Sequence, residues 1–368
     1  MSRKQRGGPG SKSDRRFTRE DVALLLLGRI ANGEFQPGAP LPSQEKLRCS
    51  IHPTLSMSTF HGGLALLKER GIIVTQNRQC TLVADPLPHQ GVYALTLPVA
   101  PSGMPASNLF RVLRTVAESL SRKKNGIQFR IFENTAHGRI GITAVQALEQ
   151  AIRWREVQGV LFTSNLHHPA RHQIFQRNWV PLAALIGWSG EAPSMPPMPH
   201  LVDPPDLSDS FMGKALERLR EVGKRRVAVI RLHGGPAYEI HGATYWDNWR
   251  KAIEACGLST EPDWLVESAV STGRTVGRFL TEIDPGPEAI IIEDDTLTPY
   301  VTTGIAEGPS PRPLVISKAH FPVLPESHVP AHFLGWDIEA MLQWGLRQLQ
   351  NPAAQTANAE TIRSYQWR

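Results

Sequence analysis

Between Thr18 and Ile30, the apolar residues Val22, Leu25, Leu26 and Ile30 recur at helical spacing, so this segment predicts an amphipathic helix. Thr18 followed by Asp21 fits a capping box at its start, and Asn32-Gly33 ends it. The stretch GEFQPGAPLPSQEKL over 33–47 turns the chain at Pro37-Gly38 and extends it through Pro40-Leu41-Pro42. Ser43 caps a short second helix with Leu47 on its inner face. A third helix starts at Ser56, carries Phe60, Leu64 and Leu67 on one stripe and stops at Gly71. Phe60 reads as core, whereas Gly62-Gly63 inside this helix should each cost about 1 kcal/mol relative to alanine. Ile72-Ile73-Val74-Thr75 and Thr81-Leu82-Val83, separated by the polar residues Gln76 to Gln79, predict a hairpin. Residues 20–85 thus have the layout of a winged helix-turn-helix.

Pro86-Leu-Pro-His-Gln90 reads as a linker. Beyond it the periodicity alternates. Short apolar runs at 91–97, 128–132, 157–162, 181–186, 226–230, 264–267, 289–292 and 313–316 predict strands. Between them, amphipathic stretches at 108–123, 144–155, 209–222, 246–256 and 275–283 predict helices. Near-continuous apolar strands separated by helices imply parallel sheets covered on both faces. Two such sets predict an α/β unit over 91–368, with two lobes and a cleft between them.

The length of 368 residues suits two or three domains, and 41% hydrophobic with 20% charged residues describes a soluble globular chain. The run Val22 to Leu27 is too short to span a bilayer, and the basic, polar residues 1–19 lack the apolar core of a signal peptide. Cys49, Cys80 and Cys256 are scattered singly, which fits a reducing cytoplasm. The net charge of +6 is concentrated: Arg3, Lys4, Arg6, Lys12, Arg15, Arg16 and Arg19 face only Asp14 in residues 1–19. A basic arm directly ahead of a helix-turn-helix suits the phosphates of double-stranded DNA.

Ligands of open α/β sheets sit beyond the carboxyl ends of the strands. Those ends carry Ser107, Asn108, Thr163, Ser164, Trp188, Tyr245, Asp295 and His320. An aspartate beside aromatic faces suits a small polyol or sugar. Enzyme chemistry has little support. There is no Walker loop, and Gly187-Trp-Ser-Gly lacks the last glycine of a nucleophile elbow. Asp294-Asp295 would point to opposite faces rather than form a hydrolytic pair. His167, His168 and His172 lack cysteine or carboxylate support, so they read as a surface cluster rather than a metal site. The expectation is a non-enzyme with no cofactor and no metal.

Two resemblances sharpen this picture. IANGEFQPGAPLPSQEKL, SMSTFHGGLALLKERGIIV and CTLV resemble the winged helix-turn-helix of the GntR family of bacterial regulators. VQGVLFTS, VPLAALIG, HLVDPPDLSDSFMGKALERLREVGKRRVAVI, NWRKAIEACGL, EAIIIEDD and a closing helix GWDIEAMLQWGLRQL resemble the effector domain of the LacI/GalR repressors, a periplasmic-binding-protein-like fold. The first resemblance implies a homodimer on an inverted-repeat operator. Lys46, Arg48, Arg78 and the arm would lie on phosphates, and Ser56, Met57, Ser58, Thr59, His61 and Gln79 on the reading surface. The second implies a sugar-like effector held by Asn108, Thr163, Trp188, Tyr245, Asp295 and His320. Departures are frequent. Glu45, Met57 and His61 replace the usual arginines, Cys80 the wing glycine, Tyr245 an arginine and Asp294 an asparagine, and the segment between Asp295 and Pro313 is short enough to imply a trimmed helix. The alternative is therefore a ligand-independent regulator or interaction module with a degenerate sensor.

Overall fold

The computed structural model describes residues 17–76, 80–97, 108–123, 126–133, 142–163, 173–176, 180–185, 201–202, 208–233, 244–351 and 366–367. The chain divides into two compact units, one running to Gln90 with Arg153–Glu156 added, the other holding Gly91–Ile152 and everything from Val157.

In the first unit, α1 (Arg19–Ala31) begins with a complete capping box: Thr18 Oγ1 accepts from the Asp21 N–H at 3.1 Å, and the Asp21 carboxylate accepts from the Thr18 N–H at 2.9 Å. Ser43 and Ser56 cap α2 (Gln44–Ile51) and α3 (Met57–Glu69) through the hydroxyl alone, accepting from the Lys46 and Thr59 N–H. The strands β1 (Ile73–Gln76) and β2 (Cys80–Val83) pair antiparallel, with Ile73 opposite Val83. Val22, Ala23, Leu26, Leu27 and Ile30 of α1 close on Leu47, Phe60, Leu67 and Ile73, and the Trp154 ring joins this core beneath the Arg70 guanidinium. Leu25, expected on the inner stripe, is 46% exposed; Ala23 and Leu27 take the inward positions.

The second unit holds two sheets. β3 (Val92–Leu97), β4 (Gln128–Glu133), β5 (Val160–Phe162), β6 (Leu182–Ala184) and β7 (Leu201–Val202) run parallel in the order β4-β3-β5-β6-β7. Around them lie α4 (Asn108–Arg122), α5 (Ile142–Arg153) and the single turn α6 (Gln173–Gln176). β8 (Val227–Leu232), β9 (Leu265–Ser268), β10 (Ala289–Ile292), β11 (Leu314–Phe321) and β12 (Ala331–Asp337) form a second parallel sheet. Its order is β13-β12-β11-β10-β8-β9, and the two-residue β13 (Gln366–Trp367) is antiparallel. The strand order reverses between β3 and β5 in one sheet and between β8 and β10 in the other, the positions at which open α/β sheets bind ligands beyond their carboxyl ends.

Helices α7 (Ser208–Glu221) and α8 (Tyr245–Ala255) share one core with Val227, Val229, Ala289, Ile291 and Ile316 of the second sheet. This core continues without a break into Leu95, Leu97 and Leu161 of the first sheet, through α4 and the closing α11 (Ile338–Gln350). On the other face of the second sheet, α9 (Gly273–Glu282) and α10 (Thr298–Glu307) cover Ala228, Ile230, Ile290 and Ile292. No helix among the described residues is long and apolar enough to cross a membrane.

Two details differ from expectation. The strand expected at 313–316 runs on to Phe321, because Lys318 and His320 pair in register with β12. The expected closing helix GWDIEAMLQWGLRQL is split: Gly335 and Trp336 belong to β12, and Asp337 caps α11 by accepting from the Ala340 N–H at 2.9 Å. At Gly335 a side chain would overlap the Ala319 carbonyl of β11, so the close pairing needs glycine there. The short segment after Asp295 holds a ten-residue helix, α10.

Gly63 also has a structural reason that propensity does not show. A Cβ there would stand 2.6 Å from Val22 Cγ1 and 2.8 Å from Val22 Cβ, so α1 and α3 meet at a contact only glycine allows. At Gly62 the nearest atom would be Arg19 Cβ at 3.1 Å, which a small shift relieves. Gly63→Ala is therefore expected to destabilise the first unit by about 1–3 kcal/mol through overpacking, and Gly62→Ala to leave it unchanged or stabilise it by up to about 1 kcal/mol, the helix propensity gained. Calorimetric transition temperatures of the two variants check the difference; equal effects would show that the α1–α3 contact is loose.

Candidate functional site at the carboxyl edge of the second sheet

Four strands of the second sheet change from apolar to charged near their carboxyl ends: VAVI to Arg231, LV to Glu267, AIII to Glu293 and LVIS to Lys318. Parallel register places them side by side. Arg231 pairs with Glu267, and one step beyond Ile230–Ile292 and Ile292–Ser317 the residue Glu293 falls between Arg231 and Lys318. The Glu293 N–H still donates to the Ile230 carbonyl at 2.9 Å, so the pairing extends to this step. The result is a row of alternating sign, Glu267–Arg231–Glu293–Lys318, on the face that carries Val229, Ile291 and Ile316. On the opposite face lie Asp294, which accepts from the Thr296 N–H, and the hydroxyls of Thr298 and Ser317, bonded to each other at 2.6 Å.

Aromatic rings flank both cations. The Arg231 guanidinium lies 4.1 Å from the Tyr245 ring centroid and 4.9 Å from that of Trp246, and donates to Glu267. Lys318 Nζ lies 5.6 Å from Phe211 and 5.2 Å from Trp336. Such contacts offset part of the desolvation of a cation held away from water.

A second layer sits two residues further along the strands. Asp295 Oδ2, buried, accepts from Asn108 Nδ2 at 2.7 Å and faces His320 Nδ1 at 2.8 Å. Arg111 fixes the amide: its guanidinium can only donate, so the atom it meets at 2.5 Å and 2.8 Å must be Asn108 Oδ1. An ionised Asp295 likewise requires that His320 carry its proton on Nδ1. Asn108 is the first residue of α4 on the first sheet, and Asp295 and His320 belong to the second, so one carboxylate ties the two lobes of this unit together.

Of the residues expected to hold a ligand, Asn108, Asp295 and His320 meet in this layer. Tyr245 is buried against Arg231. Thr163 is spent inside the first sheet, donating to the Thr96 carbonyl at 2.5 Å. Trp188, Ser107, Ser164 and the His167–His168–His172 cluster lie outside the described residues. Arg231, Glu267, Glu293 and Lys318 escaped the sequence reading, although a charge that closes an apolar strand run was a visible signal. Among the described residues no group of three or more His, Cys, Asp or Glu side chains could hold a metal ion.

In the first unit Lys46, Ser56, Met57, Ser58 and His61 are exposed. Ser56 and Thr59 are engaged with each other, Oγ to Oγ1 at 2.8 Å, and cap α3. Arg48, expected on phosphate, is instead committed to its own chain: it donates to Glu45 at 2.7 Å and to the carbonyls of Leu55 at 2.5 Å and Pro53 at 3.2 Å. His61 Nε2 meets Gln44 Oε1 at 2.9 Å. Arg78 and Gln79 lie outside the described residues.

Burial dominates the electrostatics of the row. It pushes the Glu293 carboxyl up to about 7, with Lys318 and Arg231 pulling the other way and Asp294 adding to the rise. Burial also raises Asp294, helped by the charge of Asp295. Glu267 is pushed up by burial, yet the bonds from Arg231 and His233 leave it below its ordinary range. Glu293 Oε2 is shut off from solvent and has no hydrogen-bond partner among the described residues.

No family model matches the sequence, and no curated protein matches it. Solved structures do match in fold. A LacI regulator from Lactobacillus casei with bound Tris superposes at a TM-score of 0.51 and 17% identity, over 76% of this chain and 95% of that one. A LacI family transcriptional regulator from the same organism with bound sucrose gives 0.51 and 17%, over 75% and 97%. A regulatory protein of LacI family from Chloroflexus aggregans gives 0.52 and 16%, over 71% and 90%. The second unit therefore has the two-lobed, parallel-sheet architecture of these LacI-family regulators.

Proposed function

We propose that this chain is a DNA-binding transcription regulator whose operator affinity is set by a small polyhydroxylated metabolite, with no catalytic step. The reading rests first on one observation: Asn108 of one lobe and His320 of the other converge on Asp295 at the carboxyl edge, where open α/β folds bind ligands. Structural neighbours that hold sucrose and glucose support a sugar-like effector. The three helices and hairpin of the first unit, behind a basic arm, support a GntR-like winged helix acting as a homodimer on an inverted-repeat operator, most simply as a cytoplasmic repressor. Because Arg48 is tied to Glu45, phosphate contact falls to Lys46, Arg78 and the arm, and base contact to Met57, Ser58 and His61.

A second reading is favoured by the same layer. Asp295 Oδ2 is already filled by Asn108 and His320, as it would be in a regulator that needs no ligand. A ligand then has to displace or extend this bond, and it shifts the lobes only by binding one arrangement better than the other.

Two experiments test the proposal. Gel-shift titration of the full-length protein on its own upstream DNA is expected to show dimeric binding, and deletion of residues 1–16 to flatten the salt dependence by up to about 5 in log–log slope, about 0.9 for each of the six lost cations. The deletion stops there because Thr18 caps α1 and Phe17 packs beside its core. Met57→Arg should tighten non-specific binding severalfold by restoring a cation at an exposed position, 41% accessible. No DNA shift at low salt would sink the DNA-binding half.

For the effector half, a thermal-shift screen of sugars and polyols on the full-length protein should give a stabilising compound that also changes DNA affinity. Asp295→Asn is the variant of choice, since Asp295→Ala would leave Asn108 and His320 without an acceptor and itself cost about 1–3 kcal/mol. Loss of most of the stabilisation in Asp295→Asn supports the site, whereas equal stabilisation of both proteins removes Asp295 from it. A stabilising compound that leaves DNA affinity unchanged favours the ligand-independent reading.

A further inference from the structure

The carboxylates in and around the charged row differ in how fully they are bonded. Glu267 is held by Arg231 and His233, Asp294 by the Thr296 N–H at 2.9 Å, and Asp295 by Asn108 and His320. Glu293 Oε2 alone among these carboxylate oxygens is recorded as buried without a partner. Its neighbours do not close on it. Arg231 is turned to Glu267 and the rings of Tyr245 and Trp246, and Lys318 to Phe211 and Trp336. Glu293 lies at the point where the strand order reverses between β8 and β10, the position at which open α/β sheets take their ligands.

Resting on the effector-site reading above, we propose that Glu293 is the carboxylate that reads the ligand, its Oε2 accepting a hydrogen bond from a hydroxyl, and that the site takes a polyol without negative charge. The charge balance supplies the second half. Glu267, Glu293, Asp294 and Asp295 stand against Arg231, Lys318 and, behind Asn108, Arg111, with His320 and the more distant His233 and Tyr245 the other titratable groups near the row among the described residues. A phosphate or carboxylate would enter a field that already disfavours the ionised form of Glu293, whereas a hydroxyl donor relieves the unpartnered oxygen.

The same geometry links binding to a proton. Glu293 holds its proton up to about pH 7 because of burial. A hydroxyl that donates to Oε2 favours the ionised form, so binding releases that proton and tightens as pH rises. Binding of an uncharged sugar should be about tenfold tighter at pH 8 than at pH 6, the span of one proton around a midpoint near 7.

The test uses the full-length protein, with glucose, sucrose and Tris as uncharged or cationic polyol probes and glucose 6-phosphate as the anionic counterpart of glucose. Thermal shift and calorimetric titration are run from pH 6 to 8.5 on wild type, Glu293→Gln and Glu293→Asp. We expect at least one uncharged polyol to bind wild type, to weaken at least tenfold in Glu293→Gln, and to lose its pH dependence there. Glu293→Asp should keep the pH dependence with weaker binding, and glucose 6-phosphate should bind more weakly than glucose. Binding that Glu293→Gln leaves intact, or a phosphate preference, overturns this proposal while the wider reading stands. No polyol binding to wild type overturns both.

A ligand-free measurement guards against a purely structural role. Because the folded carboxyl sits above its ordinary value of 4.5, its contribution to stability is full below that value and is lost as pH rises through about 7. Glu293→Gln mimics the protonated form, so its transition temperature should match or exceed wild type at pH 8 and vary less between pH 5 and 8. A variant less stable than wild type at pH 8 marks Glu293 as a packing partner and overturns the proposal.

Discussion

A carboxylate at the end of an apolar parallel strand has left bulk water and must find charge or donors nearby. The second unit is arranged around that constraint. Its strands are continuous runs of Val, Ile, Leu and Ala until their carboxyl ends, where Arg231, Glu267, Glu293 and Lys318 appear in adjacent register. Alternating sign makes the row tolerable: each acid has a cation as its neighbour, and each cation has aromatic faces on its flank. The other face below the charged step is apolar, and α9 and α10 pack there against Ala228, Ile230, Ile290 and Ile292.

Much of this architecture is legible in the amino-acid order. The caps at Thr18, Ser43 and Ser56, the hairpin and the alternation of apolar strands with amphipathic helices all follow from local chemistry, and local chemistry does not depend on the rest of the chain. What escaped depends on partners far away in sequence. The strand that ends at Phe321 looks finished at Ile316 because Lys318 and His320 interrupt its apolar run; only pairing with β12 keeps them in the sheet. Gly335 and Trp336 read as helix until the Ala319 carbonyl is seen to demand a glycine opposite. The candidate site was half legible for the same reason. Asp295 and His320 stand out as polar residues after apolar strands, but the row beside them exists only across four strands.

In the first unit, departures from the resembled family also become consistent with one another. Glutamate at position 45 would be unwelcome next to phosphate, yet it pairs with Arg48, and Arg48 in turn holds the carbonyls of Pro53 and Leu55. The segment between α2 and α3 therefore has a guanidinium anchoring it, and the arginine serves this loop instead of facing outward. Gly63 follows the same logic: what propensity counts as a weakness is the condition for α1 to lie against α3.

The two layers at the carboxyl edge differ in what a ligand could gain from them. Asp295 has its donors in place, supplied by both lobes, so any contact there must compete with Asn108 or His320 and gains only the difference. Glu293, a step back along the same strand end, has a buried oxygen with nothing bonded to it, so a new donor there gains without displacing one. One carboxylate bonds both lobes, and the other is the one proposed above to read the ligand. A ligand that satisfied Glu293 while disturbing the Asn108–Asp295 bond would convert a local hydrogen bond into a change of lobe arrangement, which is the differential interaction that a switch requires.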